Sequence, residues 1–153
     1  MKIFSSAFGN YEDIPTLYTG EGQDVSPPLR WQDVPVETRS LALICDDPDA
    51  PRGTWDHWII YNIPPTISVL AEGIKQLPLD IQSCLNSWGK KEYGGPNPPS
   101  GTHRYFFKLY ALDTVFQLPE DAKKIDLIKA MNSHILAEAT LVGHYALQHD
   151  KKK

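Results

Sequence analysis

The chain is poor in positive charge. Its 153 residues carry 15 Lys and Arg against 19 Asp and Glu, a formal net charge of −4. Holding nucleic acid takes a basic face that displaces counterions from the phosphates, so no nucleic-acid partner is expected. The one basic run, Lys151-Lys152-Lys153, stands at the extreme end and reads as a solubilising tail beyond a single domain of residues 1–150. Cysteine is scarce too: Cys45 and Cys84 cannot frame a disulfide scaffold in a chain this long. Cys45 closes the run Leu41-Ala42-Leu43-Ile44-Cys45, where a buried small hydrophobe is the default. No apolar stretch approaches the roughly 20 residues of a membrane span. Met1–Ser6 lacks the apolar region of a leader. The expectation is a cytoplasmic protein in a reducing compartment, with no stable membrane insertion.

Proline, by contrast, is plentiful and clustered. Nine of the 13 prolines gather at Pro27-Pro28, Pro48 and Pro51, Pro64-Pro65, and Pro96 with Pro98-Pro99. Each removes a backbone donor and fixes φ, so long helices are excluded from most of the chain. Between the clusters lie β-forming runs at Ser40–Cys45, His57–Ile63 and Tyr105–Leu112. The last is apolar at nearly every position, the pattern of a strand buried on both faces. A helix is predicted only late, with Ile125, Leu127, Ile128 and Met131 as its apolar stripe and an end near Leu136. A return strand follows, because Ile135, Ala137, Ala139 and Leu141 alternate and Gly143 would interrupt a helix. The fold class is mostly β with one or two C-terminal helices.

Three segments carry polar residues that a β core does not need. Asp46-Asp47-Pro48-Asp49-Ala50-Pro51 follows an apolar strand directly. Its carboxylates repel one another and its prolines stiffen the turn; taken alone it reads as an acidic surface turn. Trp55-Asp56-His57-Trp58 opens the second strand, where alternation puts His57 on one face with Ile59 and Tyr61, and Trp58 and Ile60 on the other. A lone histidine there is more often a hydrogen-bonded core residue than a ligand. Tyr93-Gly94-Gly95-Pro96-Asn97-Pro98-Pro99-Ser100-Gly101 leads straight into Thr102-His103-Arg104-Tyr105. Glycine permits close backbone approach to a bound group, although a rigid hairpin connection explains the loop equally well.

Taken together the segments are far more specific. Asp47-Pro48-Asp49-Ala50-Pro51 resembles the first signature of the phosphatidylethanolamine-binding protein family, the family of Raf kinase inhibitor-like proteins. Gly101-Thr102-His103-Arg104-Tyr105 resembles the second, and Trp55-Asp56-His57 falls between them. Matches to the bacterial and archaeal branch continue at Ser26-Pro27-Pro28-Leu29-Arg30-Trp31, Asn86-Ser87-Trp88-Gly89, Tyr110-Ala111-Leu112-Asp113 and His134-Ile135-Leu136-Ala137.

The resemblance implies a two-sheet antiparallel β-sandwich with a pocket for phosphate, a phosphoethanolamine-like head group or a carboxylate. Carried over by position, that pocket comprises Asp47, Pro51, Trp55, His57, Gly94, Gly95, Pro98, His103 and Tyr105. A cis peptide at Ala50–Pro51 is also implied, which a tertiary amide adopts at small cost. Two protonated imidazoles on one anion give charge-assisted bonds of about 1.5–3 kcal/mol each. Asp47 would orient one of them, and amides at Gly94 and Gly95 would add donors. With ordinary histidines, anion affinity should rise as pH falls from about 8 to about 6.

The favoured expectation is a non-enzymatic binding protein for a small anion, with no cofactor and no metal, acting as a regulatory module through a protein partner. Kinase-inhibition roles of eukaryotic relatives are not carried over. Those members have a longer segment than Arg52-Gly53-Thr54 before the tryptophan and a C-terminal helix at the pocket mouth. The rival is a hydrolase on the same cluster, either metal-dependent with Asp47, Asp49, His57 and His103 as ligands or nucleophilic with Ser100 beside His103. A homodimer is implied by bacterial relatives, with Trp31, Trp88 and Phe116 as candidate contact residues, although core packing is the more ordinary job for each.

Overall fold

The computed structural model describes residues 1–78 and 80–151, with only the backbone of Lys151; the rest of the expected basic tail lies outside the described residues. Proline clusters punctuate the strands. The strands are β1 (Lys2–Phe4), β2 (Glu12–Asp13), β3 (Leu29–Gln32), β4 (Ser40–Asp47), β5 (Trp55–Ile63), β6 (Val69–Leu70), β7 (Gln82–Ser83), β8 (Thr102–Leu112) and β9 (Ile135–Ala146). Helix α1 (Lys124–Met131) precedes β9, and a short α2 (Gln148–Lys151) follows it. One sheet runs β1-β3-β6, the other β2-β9-β8-β4-β5-β7. Pairing is antiparallel except where the two residues of β2 run parallel to β9.

Ile3, Leu29, Trp31 and Leu70 of the small sheet pack between the sheets on Leu41, Leu43, Trp58, Ile60, Phe107 and Leu109 of the large one. The outer face of the large sheet is covered by α1, where Leu127 and Met131 meet Ala42, Ile44, Ile59 and Tyr61. Burying each of these two helix side chains contributes about 1.5–3 kcal/mol. All eight residues of β4 are buried because it lies beneath both layers, which is why its sequence shows no alternation.

The structure corrects five expectations. The apolar run of β8 is buried on one face only: His103, Tyr105, Phe107 and Leu109 point inward, while Phe106, Lys108 and Tyr110 are half-covered. Helix α1 ends at Met131 rather than near Leu136, because Ser133 adopts φ 72° and turns the chain toward β9. Its stripe is also narrower than expected, since Ile125 and Ile128 face outward. No cis peptide occurs among the described residues. Pro51 instead takes the second position of a turn in which the Gly53 amide donates to the Ala50 carbonyl at 3.2 Å, a place a trans proline fills without strain.

The fifth correction shapes the site. The register of β4 on β5 slips by one residue between Cys45, which faces Trp58, and Asp46, which faces Asp56. His57 is the extra residue, and such a bulge resets side-chain alternation. His57 therefore shares the inter-sheet side with Trp58, not the outer face with Ile59 and Tyr61.

Candidate functional site

Three adjacent strands deliver the site. The end of β4 brings Asp47, the bulge of β5 brings His57, and the start of β8 brings His103 and Tyr105. With the turn after β4 and the loop before β8 they enclose a cavity of ≈ 260 Å³. Asp47, Pro51, Trp55, His57, Pro98, His103 and Tyr105 all line it.

Gly94 and Gly95 do not. They border a neighbouring cavity, and their amides are engaged: Gly94 N–H donates to the His57 carbonyl at 3.1 Å and Gly95 N–H to Asp24 Oδ1 at 2.7 Å. The loop amides expected to serve an anion are spent holding the loop. What Gly94 supplies is its carbonyl, which receives His57 Nδ1 at 2.7 Å. A carbonyl only accepts, so Nδ1 carries the proton and Nε2 is the ring's remaining polar atom. Burial, the dominant influence, holds this imidazole below its ordinary value of 6.5, although the Gly94 contact and nearby aspartates oppose the shift.

His103 is oriented differently. Its Nδ1 meets Asp47 Oδ2 at 2.7 Å, with both side chains buried. Asp47 Oδ1 accepts the Asp49 amide at 2.8 Å, so one carboxylate fixes both the imidazole and the turn. Asp49 is committed elsewhere: both its oxygens pair with the Arg104 guanidinium at 2.8 and 2.9 Å, which tie the turn to β8. That pairing lowers the Asp49 carboxyl to about 2. The aspartates and histidines of the rival metal set are thus each bound to another partner, and no group of three or more metal-ligating side chains converges among the described residues. Both cysteine thiols are buried and unbonded, and burial pushes each up, Cys84 to about 11, the reverse of an activated nucleophile.

The walls are aromatic. Tyr105 lies edge-on to His57 at 5.2 Å and stacks with His103 at 6.5 Å. Its hydroxyl is buried without a hydrogen-bond partner among the described residues. Burial, with the charge of Asp47 adding to it, drives the phenol far above its ordinary range, so it keeps its proton and stays a donor. Trp88 was not foreseen as a site residue. It stands edge-on to His57 at 5.1 Å and to Trp55 at 5.4 Å, and it forms the rim with Trp55. The signal was present in Asn86-Ser87-Trp88-Gly89: Asn86 is buried, and its Oδ1 accepts the amides of Trp88 and Lys90 at 3.0 Å, holding this turn beside the cavity. Asn97 and Pro99 were likewise missed as lining residues. Of the other candidate contact aromatics, Trp31 is core, with Nε1 donating to the Ile67 carbonyl at 3.1 Å, and Phe116 packs under α1.

A family model described as phosphatidylethanolamine-binding protein matches residues 4–146. The chain belongs to the phosphatidylethanolamine-binding protein family. Among its relatives, a UPF0098 protein of Methanothermobacter thermautotrophicus is 50% identical over 148 residues, 95% of this chain and 98% of the relative. Another from Aquifex aeolicus is 45% identical, over 95% of this chain and 88% of its own. Of solved structures, a phosphatidylethanolamine-binding protein homologue from Chlamydia trachomatis superposes with a TM-score of 0.89 at 43% identity, covering 94% of this chain and 95% of that one. An Escherichia coli member of the family reaches a TM-score of 0.90 at 30% identity, covering 96% and 98%. The family spans bacteria and archaea, and its two-sheet fold is the one described above. No helix of the described residues is long and apolar enough to cross a membrane.

Proposed function

We propose that this protein is a non-enzymatic binding module for a small anion, a phosphate, phosphorylated head group or carboxylate held between His57 and His103. One observation carries the reading. Two imidazoles, on β5 and β8 to either side of β4, are each anchored through Nδ1 at 2.7 Å, one by Gly94 and one by Asp47, leaving both Nε2 atoms to serve one shared cavity. The unpartnered Tyr105 hydroxyl supports it as a third donor. Trp55 and Trp88 limit solvent at the rim, which strengthens charge-assisted bonds inside.

The test is a thermal-shift titration with phosphate, phosphoethanolamine and acetate on wild type and His103→Ala. Ligand at 100 times its dissociation constant should stabilise the wild type by about 2.7 kcal/mol, with the shift lost in the variant. No shift with any of the three anions sinks the proposal. Turnover of a phosphoester or carboxyester that disappears in His103→Ala would instead favour a hydrolase.

A further inference from the structure

Beside the histidine cavity lies a larger one, ≈ 610 Å³, which shares Ala50, Pro51 and Trp55 with it. Trp55, 38% exposed, is the wall between them. The groove is lined by the turn after Pro51 and by the Leu85–Ser87 segment, and Arg52 and Lys123 are among its lining residues. Both are exposed, and neither side chain forms an ion pair among the described residues; Asp126 accepts the Lys123 backbone amide at 2.8 Å but does not line the groove. The one carboxylate in the lining, Asp56, is already neutralised by Lys124 at 2.6 Å. On a chain whose net charge is −4, this leaves a groove with two unpaired cations beside the histidine cavity.

We infer that the physiological ligand carries two anionic groups, and that the groove between Arg52 and Lys123 takes the second. The inference rests on the reading of the His57–His103 cavity as the seat of the first. The ligand class is an organic phosphate whose body passes Trp55 and ends in a carboxylate or second phosphate. Charge complementarity selects that end group. Ala50, Pro51 and Trp55 line both cavities, which puts the two anion seats within reach of one molecule. A neutral tail, or a single small anion, leaves the two cations unused.

Matched ligands test this: phosphonopropionate and phosphonohexanoate against propylphosphonate and hexylphosphonate, by calorimetric titration at low and high salt. Each pair differs only in the second anion. At least one carboxylated ligand should bind about fivefold tighter than its partner, the gain of an exposed ion pair, and the gain should shrink at high salt. R52A/K123A should abolish the difference while leaving binding of inorganic phosphate unchanged. Both substitutions sit at exposed positions, so folding survives them. Equal affinity within both pairs, with phosphate still binding, overturns the inference and spares the pocket. Failure of phosphate itself overturns both.

Discussion

His57 and Gly94, 37 positions apart, grip each other twice: the imidazole Nδ1 donates to the Gly94 carbonyl at 2.7 Å, and the Gly94 amide donates to the His57 carbonyl at 3.1 Å. The ring is thereby held as the Nδ1–H tautomer, and in its neutral form its Nε2 offers a lone pair rather than a proton. An anion therefore recruits His57 only together with a proton. Because burial lowers this group, the proton is taken up below pH 6.5 in the free protein.

The His57 contribution to anion affinity is thus displaced to lower pH than the window of about 8 to 6 that ordinary histidines would give. Nitrogen-detected NMR should show a His57 titration midpoint below 6.5 without ligand and a higher one with saturating phosphate. A midpoint indifferent to phosphate would contradict contact at Nε2. The sign for stability follows from the same shift. The unfolded chain takes the proton first, so stability contributed by neutral His57 is full above pH 6.5 and declines as pH falls below it. Bound phosphate should flatten that decline.

Asp47 tests the second anchor. It holds His103 and the Asp49 amide at once, so Asp47→Ala leaves two polar groups without their acceptor, at about 1–3 kcal/mol each where water cannot reach. Asp47→Asn keeps the shape but removes the charge behind the imidazole. The Asn variant should lose about tenfold to a hundredfold in phosphate affinity, the value of one charge-assisted bond, with a smaller loss of stability than Ala. Equal phosphate affinity in Asp47→Asn and wild type would mean that His103 is not the charged donor.

How much of this was legible beforehand depends on the kind of signal. The strands and the late helix could be read because proline clusters punctuate them and because β4 is apolar along its length. Asp47, His103 and Tyr105 could be placed because each falls at a strand end marked by a Pro- or Gly-rich turn. Alternation alone puts His57 on the wrong face, because a single inserted residue reverses it and no residue type announces a bulge in an otherwise apolar strand. The roles of Gly94 and Gly95 are equally invisible in the local sequence. Whether a loop amide faces a ligand or its own fold is decided by partners such as Asp24, 71 positions away. Trp88 gives no local sign of its place at the cavity because its neighbours there come from β5, distant in sequence.

Asp49 and Arg104 give an acid-side prediction. Their two-pronged pair lowers Asp49 from 3.8 to about 2. The unfolded carboxylate protonates first on acidification, so the stability this pair contributes is present above pH 3.8 and lost as pH falls through about 2. Carbon-detected titration of Asp49 should show the low midpoint in the wild type and a return toward 3.8 in Arg104→Gln. The pair is partly exposed, so the effect on the midpoint of unfolding at neutral pH should be small and should fade in high salt.

The adjacent glycines separate rim from frame. A Cβ at Gly94 would lie 2.4 Å from the Trp88 ring, whereas a Cβ at Gly95 would lie 2.2 Å from the Tyr18 carbonyl oxygen. Trp88 is 45% exposed and can swing outward; the Tyr18 backbone cannot. Gly94→Ala should therefore fold with a loss of no more than about 1 kcal/mol, yet shift tryptophan fluorescence and weaken phosphate binding as the rim opens. Gly95→Ala forces backbone to move and breaks the alignment of the Asp24 contact, at a cost of about 1–3 kcal/mol or more. Chemical denaturation of both variants measures the two costs. If Gly94→Ala proves the more destabilising, Trp88 is not a mobile rim residue but a fixed part of the frame.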